Sequence, residues 1–162
     1  MLPSQIEVYF KDEKGLMELL KLCEEKFKVI DSYAQQFEQN LMSTCGEYST
    51  AKEQIAGIKM FLNDIYSEAI TWKKNKEQAK YMELKIAIEN KPPVDDGKGK
   101  LTKEKFSSAP TEIEASVSVA TWRRVRNILE GKINSCWDSL KICEQRIIEI
   151  KGENNLNNGK NN

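Results

Sequence analysis

The chain has 162 residues, with 25 Lys and Arg, 25 Asp and Glu, and no histidine. That length suits one domain, and a charged fraction of 31% against 40% hydrophobic residues allows a modest core inside a heavily solvated exterior. The lack of histidine excludes Ser-His-Asp and Cys-His nucleophilic sites, His-based zinc sites and the usual near-neutral acid–base group, so no enzyme is expected.

No apolar run approaches a bilayer span, and Met1-Leu2-Pro3-Ser4-Gln5 lacks the basic and apolar regions of a signal peptide, so a cytoplasmic protein is expected. Cys23, Cys45, Cys136 and Cys143 include no Cys-x-x-Cys pair. Cys23, Cys136 and Cys143 fall on apolar helical positions, where a thiol packs as a small hydrophobe. The carboxylate pairs Glu112/Glu114 and Asp95/Asp96 have no recognisable site around them. Neither a cofactor nor a metal is expected.

In chain order, Ile6, Val8 and Phe10 alternate like a strand, but a lone strand has no partner. A short amphipathic helix or a packing arm is the expectation for residues 5–10. From Leu16 the apolar residues recur in steps of four and three: Leu16, Leu20, Cys23, Phe27, Ile30, Ala34, Phe37 and Leu41. This is a coiled-coil-like seam, predicting a helix over about 13–45. Gly46 offers a break or a bend, and Thr50 with Glu53 has the spacing of a capping box. The second helix, about 50–90, keeps the register through Ile55, Ile58, Leu62, Ile65, Ala69 and Trp72. It ends before Pro92-Pro93. Residues 91–109 read as a polar loop. A third helix over about 110–151 carries the seam Trp122, Val125, Leu129, Ile133, Cys136, Leu140, Cys143, Ile147 and Ile150. Gly152 is its expected stop and 153–162 an Asn-rich disordered tail.

The expected fold is therefore all-α: an elongated helical bundle, coiled-coil-like, in one domain over 1–152. Apolar stripes this wide are hard to cover within one monomer, so a homo-oligomer is expected. Its interface is placed on Leu129, Ile133, Leu140 and Ile147.

The zero net charge is polarised. Residues 1–71 hold 7 basic and 12 acidic side chains, and residues 72–162 hold 18 and 13. Lys73, Lys76 and Lys80 share a helical face by their spacing, Lys74 lies beside them, and Arg123, Arg124 and Arg126 open the third helix. The loop adds Lys98, Lys100, Lys103 and Lys105. A third helix folded back antiparallel to the second brings these banks together at one end. Lys and Arg track phosphates and aromatic faces stack on bases, so the pattern suits single-stranded nucleic acid. Trp72 and Trp122 are seam residues and belong to the core, whereas Tyr81, off the main seam, is the candidate stacking ring. The competing reading is a solvated helix face, since Glu77, Glu83 and Glu130 interrupt the charge.

The order of these parts resembles the UvsY-type phage recombination mediator family. The matching elements are a helix ending in Ala79-Lys80-Tyr81-Met82-Glu83-Leu84, a polar loop, and a helix opening near Thr121-Trp122. That last helix continues through Cys136 to Arg146 and Ile147. The resemblance covers roughly residues 66–150. It implies a ring-like oligomer built through the C-terminal helix that binds single-stranded DNA. It further implies help for a RecA-like recombinase in replacing a single-strand-binding protein, in the host cytoplasm if the chain is phage-encoded. Lys76 and Lys80 match the family's DNA-contacting positions. The chain departs from the family in its longer Pro-Pro loop, its Arg123-Arg124-Arg126 cluster and its Asn-rich tail. The alternative function is a helical structural or assembly protein, a virion component or chaperone, that binds a partner helix and no nucleic acid.

Overall fold

The computed structural model describes residues 3–95, 97 and 101–159. The fold is all-α. A short helix α1 (Pro3–Ile6) and a 3-10 turn (Glu7–Phe10) lead into α2 (Glu13–Glu38) and the long α3 (Cys45–Glu89). Two minimal strands, β1 (Val94–Asp95) and β2 (Leu101–Thr102), pair antiparallel with Val94 opposite Thr102. They are followed by α4 (Ser108–Ser118) and α5 (Ala120–Gly159).

The breaks differ from the expected ones. The first helix ends at Glu38, because Asn40 takes a left-handed conformation (φ 52°) that closes the helix. Leu41 N–H then donates to the Gln36 carbonyl at 3.0 Å. The next helix opens at Cys45 with a true capping box: Thr44 Oγ1 accepts from Glu47 N–H at 3.2 Å, and Glu47 Oε2 accepts from Thr44 N–H at 2.9 Å. Thr44 and Glu47 have the same spacing as Thr50 and Glu53, which lie inside α3 instead. The expected third helix is divided at Val119, the C-cap of α4. Nor does Gly152 stop α5. A glycine costs about 1 kcal/mol in a helix but ends it only when it turns left-handed, and the helix runs on to Gly159. The tail expectation is thus corrected over 153–159, and 160–162 lie outside the described residues.

α2 and α5 run in the same direction, with α3 antiparallel to both. Thr121 Oγ1 donates to Glu13 at 2.8 Å, Lys132 Nζ to Asp31 at 2.6 Å, and Arg146 to Asn40 at 3.3 Å, marking the α2–α5 register. Lys52 pairs with Glu144 at 2.8 Å, and the Lys59 ammonium sits over the Trp137 ring, marking the α3–α5 register. The core between them joins Leu16, Leu19, Cys23 and Ile30 of α2 to Ile55, Leu62 and Ile65 of α3 and to Val125, Leu129 and Cys136 of α5.

The four residues expected at the oligomer interface are not alike in their burial. Leu129 is fully buried and Ile133 nearly so within the chain's own core, and Leu140 and Ile147 pack half-buried against it. The α5 seam meets α2 and α3 of the same chain, so Leu129 and Ile133 are used up in its own core, while Leu140 and Ile147 keep part of their surface exposed.

Residues 5–10 form the arm. Ile6 and Phe10 are buried, and Phe10 stacks near-parallel on Trp72 with ring centroids 6.4 Å apart. The Trp122 indole N–H donates to the Phe10 carbonyl at 3.1 Å. Trp122 is buried in the core and Trp72 packs half-buried against it, in line with their seam positions. α2 starts so close to this arm that a Cβ on Gly15 would stand 2.6 Å from the Tyr9 carbonyl oxygen.

The 45 residues of α3 span about 67 Å at ~1.5 Å per residue, more than α2 can accompany. Lys76 Nζ donates to the Lys11 carbonyl at 3.1 Å, level with the start of α2. Beyond that point α3 is covered by α4 and the loop leading to it. That two-helix extension carries the basic segment.

Candidate nucleic-acid interface

Residues 73–126 hold 13 basic and 8 acidic side chains, a net charge of +5. α4 and the start of α5 lie against the last third of α3, so the lysine and arginine banks do meet, as the antiparallel return requires. Lys73 forms an ion pair with Glu77, and the Arg123 guanidinium stands 4.0 Å from the other oxygen of the same carboxylate. Arg123 also donates to the Ser116 carbonyl at 2.9 Å and to the Ser116 hydroxyl. The Lys73 hydrogen bond, helped by the charges of Lys73 and Arg123, holds the Glu77 carboxyl below the usual carboxylate range against the opposing effect of burial. One carboxylate thus ties α3 to the α4–α5 junction.

Lys73, Lys76 and Lys80 are all half-buried on the face of α3 that meets α4 and α5, with Lys74 exposed beside them. Lys73 and Lys74 lie on the flank shared with Glu77, Gln78, Tyr81 and Ser116. Lys76 and Lys80 lie on the other, beside Glu83, Ser118 and Trp122. The Lys76 ammonium is within 5.9 Å of the Trp72 ring centroid and 5.6 Å of the Trp122 ring centroid. Lys80 pairs with Glu83 at 2.7 Å. Arg126 donates to its neighbour Asn127 at 2.7 Å. Lys74 and Arg124 are exposed and enter no hydrogen bond or ion pair among the described residues. Of the loop lysines, Lys98 and Lys100 lie outside the described residues, and Lys103 and Lys105 are exposed.

Tyr81 is not a free stacking platform. It is half-buried, with its ring set edge-on to Phe106 at 6.1 Å and 86°. It forms one wall of a groove of about 740 Å³ between α3 and α4, whose other wall carries Ala109, Ile113 and Val117. The sequence reading passed over this groove. Ile113 and Val117 are four residues apart and off the seam of the expected third helix, which is the signal for a second apolar stripe.

Among the described residues no group of three or more Cys, Asp or Glu side chains is arranged to hold a metal ion. No described helix is long and apolar enough to cross a membrane. No family model matches this chain, and neither curated proteins nor solved structures yield a match.

Proposed function

We propose that this chain is a non-enzymatic single-stranded DNA-binding protein whose working end is the α3–α4 extension with the first turns of α5. The observation that carries the reading is the excess of basic side chains over residues 73–126, of which α3, α4 and the first turns of α5, packed together at one end, hold eight Lys and Arg against five Glu. Exposed Lys74 and Arg124 offer charges with no internal partner. Lys73, Lys80, Arg123 and Arg126 contribute more weakly, because each must exchange a neighbour for a phosphate. Such exchange is cheap for the more exposed Lys80–Glu83 pair, as surface ion pairs contribute about 0–1 kcal/mol, and less so for Lys73, which is mostly covered with Glu77.

With Trp72 and Trp122 in the core and Tyr81 against Phe106, base stacking is minor. Binding rests on phosphates and is indifferent to sequence. The further role, as a recombination accessory that helps a RecA-like recombinase displace a single-strand-binding protein, is proposed from the family resemblance.

The test is fluorescence anisotropy of labelled oligo-dT at low salt. Lys74→Ala with Arg124→Ala removes two exposed cations without touching the core, and we expect about a tenfold weaker affinity, since each lost phosphate contact forfeits its counterion release. Lys76→Ala with Lys80→Ala is expected to weaken binding less. Unchanged affinity in both double variants would remove the site from this end of the molecule.

A further inference from the structure

Ser135, Ser139, Ile142, Arg146 and Glu149 follow one another along α5 in steps of four and three, so they share one helical face. This face fronts a cavity of about 540 Å³ at the end of the bundle away from the basic segment. The last turns of α2 and Tyr48 of α3 wall its other side. Phe37 and Tyr48 stack with ring centroids 6.1 Å apart and, with Ile142, give it an apolar floor. Ser139 is only 4% exposed, yet its hydroxyl makes no hydrogen bond among the described residues. A helical serine commonly donates to the carbonyl four residues back, as Ser135 does to Gly131 at 3.1 Å. Among the described residues no sealed side-chain oxygen lacks a partner, so the Ser139 oxygen is open, and the space it opens on is this cavity. A hydroxyl enclosed without a partner is costly unless a ligand meets it.

The charged lining is Glu38, Asp138 and Glu149 against Arg146 alone. Arg146 is already matched, donating to Glu149 at 3.0 Å and to Asn40 at 3.3 Å. The exposed Glu38 carboxylate enters no ion pair or hydrogen bond among the described residues. Asp138 stands 3.7 Å from Lys141, which lies outside the lining, and with that lysine counted the surroundings stay net negative. We infer that this cavity binds a small organic cation, an ammonium group on an apolar body. The body rests on Phe37, Tyr48 and Ile142, the ammonium donates to Ser139 Oγ, and Glu38 and Asp138 supply the countercharge. An ammonium has only donors, and this lining offers it a hydroxyl oxygen, carboxylates and aromatic rings. An anionic ligand would face the unpaired Glu38 and find the one cation of the lining occupied. The volume lies within the range of small-molecule sites, about 300–1,000 Å³, and exceeds what one lysine side chain of a partner would fill. This inference is independent of DNA binding, because the cavity and the basic segment lie at opposite ends of the molecule.

Titration of the full-length protein with phenethylamine, followed by backbone amide NMR shifts, tests it. Phenethyl alcohol and hydrocinnamate carry the same phenethyl body with a neutral and an anionic head group. The amine should shift the amides of Ser139 and Ile142 saturably, the alcohol should bind at least about fivefold more weakly, and the carboxylate should not bind, since only the cation gains the charge contacts. Glu38→Gln with Asp138→Asn changes two exposed side chains and should weaken the amine about tenfold, the sum of two exposed charge contacts. Ser139→Ala should weaken it about threefold, the loss of one hydrogen bond. Its thermal melt should not fall, because the hydroxyl has no internal partner to lose, and its oligo-dT affinity should match the parent. Equal binding of amine and alcohol, preference for the carboxylate, or amine affinity that survives Glu38→Gln with Asp138→Asn would overturn the inference. So would shifts confined to residues outside the cavity, or no saturable shift at about 10 mM amine, a concentration at which a ligand of this size should register.

Discussion

Gly15 and Thr44 hold positions at which a different side chain changes the architecture. At Gly15 the obstacle is backbone, the Tyr9 carbonyl 2.6 Å from any added Cβ, so neither group can rotate aside. Gly15→Ala should lift the arm from the bundle, depriving the Trp122 indole of its acceptor. We expect a loss of about 1–3 kcal/mol, the usual cost of overpacking, with a red shift of tryptophan fluorescence. An unchanged melt and spectrum would mean the arm is not fixed there. At the start of α3, Thr44→Ala removes the side-chain acceptor for Glu47 N–H and should cost about 1 kcal/mol in chemical denaturation. Backbone N–H groups of Ser43 and Thr44 hold the Glu47 carboxyl below its ordinary range. Its contribution to stability is therefore present above the unfolded carboxyl pKa, about 4.3, and is lost as pH falls through the lower folded value. Glu47→Gln should flatten the acid limb of a stability-versus-pH curve, and an unaltered limb would show that the cap does not titrate with folding.

At the scale of helices, period was legible and punctuation was not. The seam residues Leu16, Cys23, Ile30, Ile55, Leu62, Leu129 and Cys136 are buried, because a stripe in steps of three and four has only one way to face a core. Breaks depend on single residues that compete locally. Gly46 and Thr50–Glu53 have the same local signals as Asn40 and the Thr44–Glu47 box, but lie within α3, whereas Asn40 and Thr44 flank the actual break. Which partner the α5 seam meets was also beyond pattern, since a stripe records that it is covered and not by whom. The correction has a measurable consequence. Leu129→Ala should cost about 2–5 kcal/mol in unfolding, as for other buried leucines, with no change in sedimentation of the folded protein. A variant that keeps its stability but dissociates would restore α5 to an intermolecular interface.

Over the whole molecule, a three-helix bundle at one end gives way to a two-helix extension at the other, and the difference is visible in the thiols. Cys23, Cys136 and Cys143 are buried along the bundle, and burial raises each thiol pKa, pushing Cys23 up to about 11 despite the nearby Lys26 charge. Cys45 at the start of α3 is half-buried. Thiol labelling under native conditions should modify Cys45 promptly and the other three only on unfolding, since the thiolate is the reacting form; four equivalents reacting together would mean that the bundle opens freely. The functional end was legible as charge but not as surface. Spacing placed Lys73, Lys76 and Lys80 on one face, but folding half-buries that face and ties Lys73 to Glu77 and Lys80 to Glu83. The groove lined by Ile113 and Val117 arises from α4, which breaks from α5 at Val119 inside what the pattern reads as one helix. The most direct measurement is the affinity of the unmodified protein for oligo-dT across a salt series. If the basic end neutralises three or more phosphates, log affinity should fall linearly with log salt at a slope of about −2 or steeper, given ~0.7 per phosphate for single strands. No binding at about 50 mM salt, where phosphate contacts are strongest, or binding that salt leaves unchanged, would contradict it.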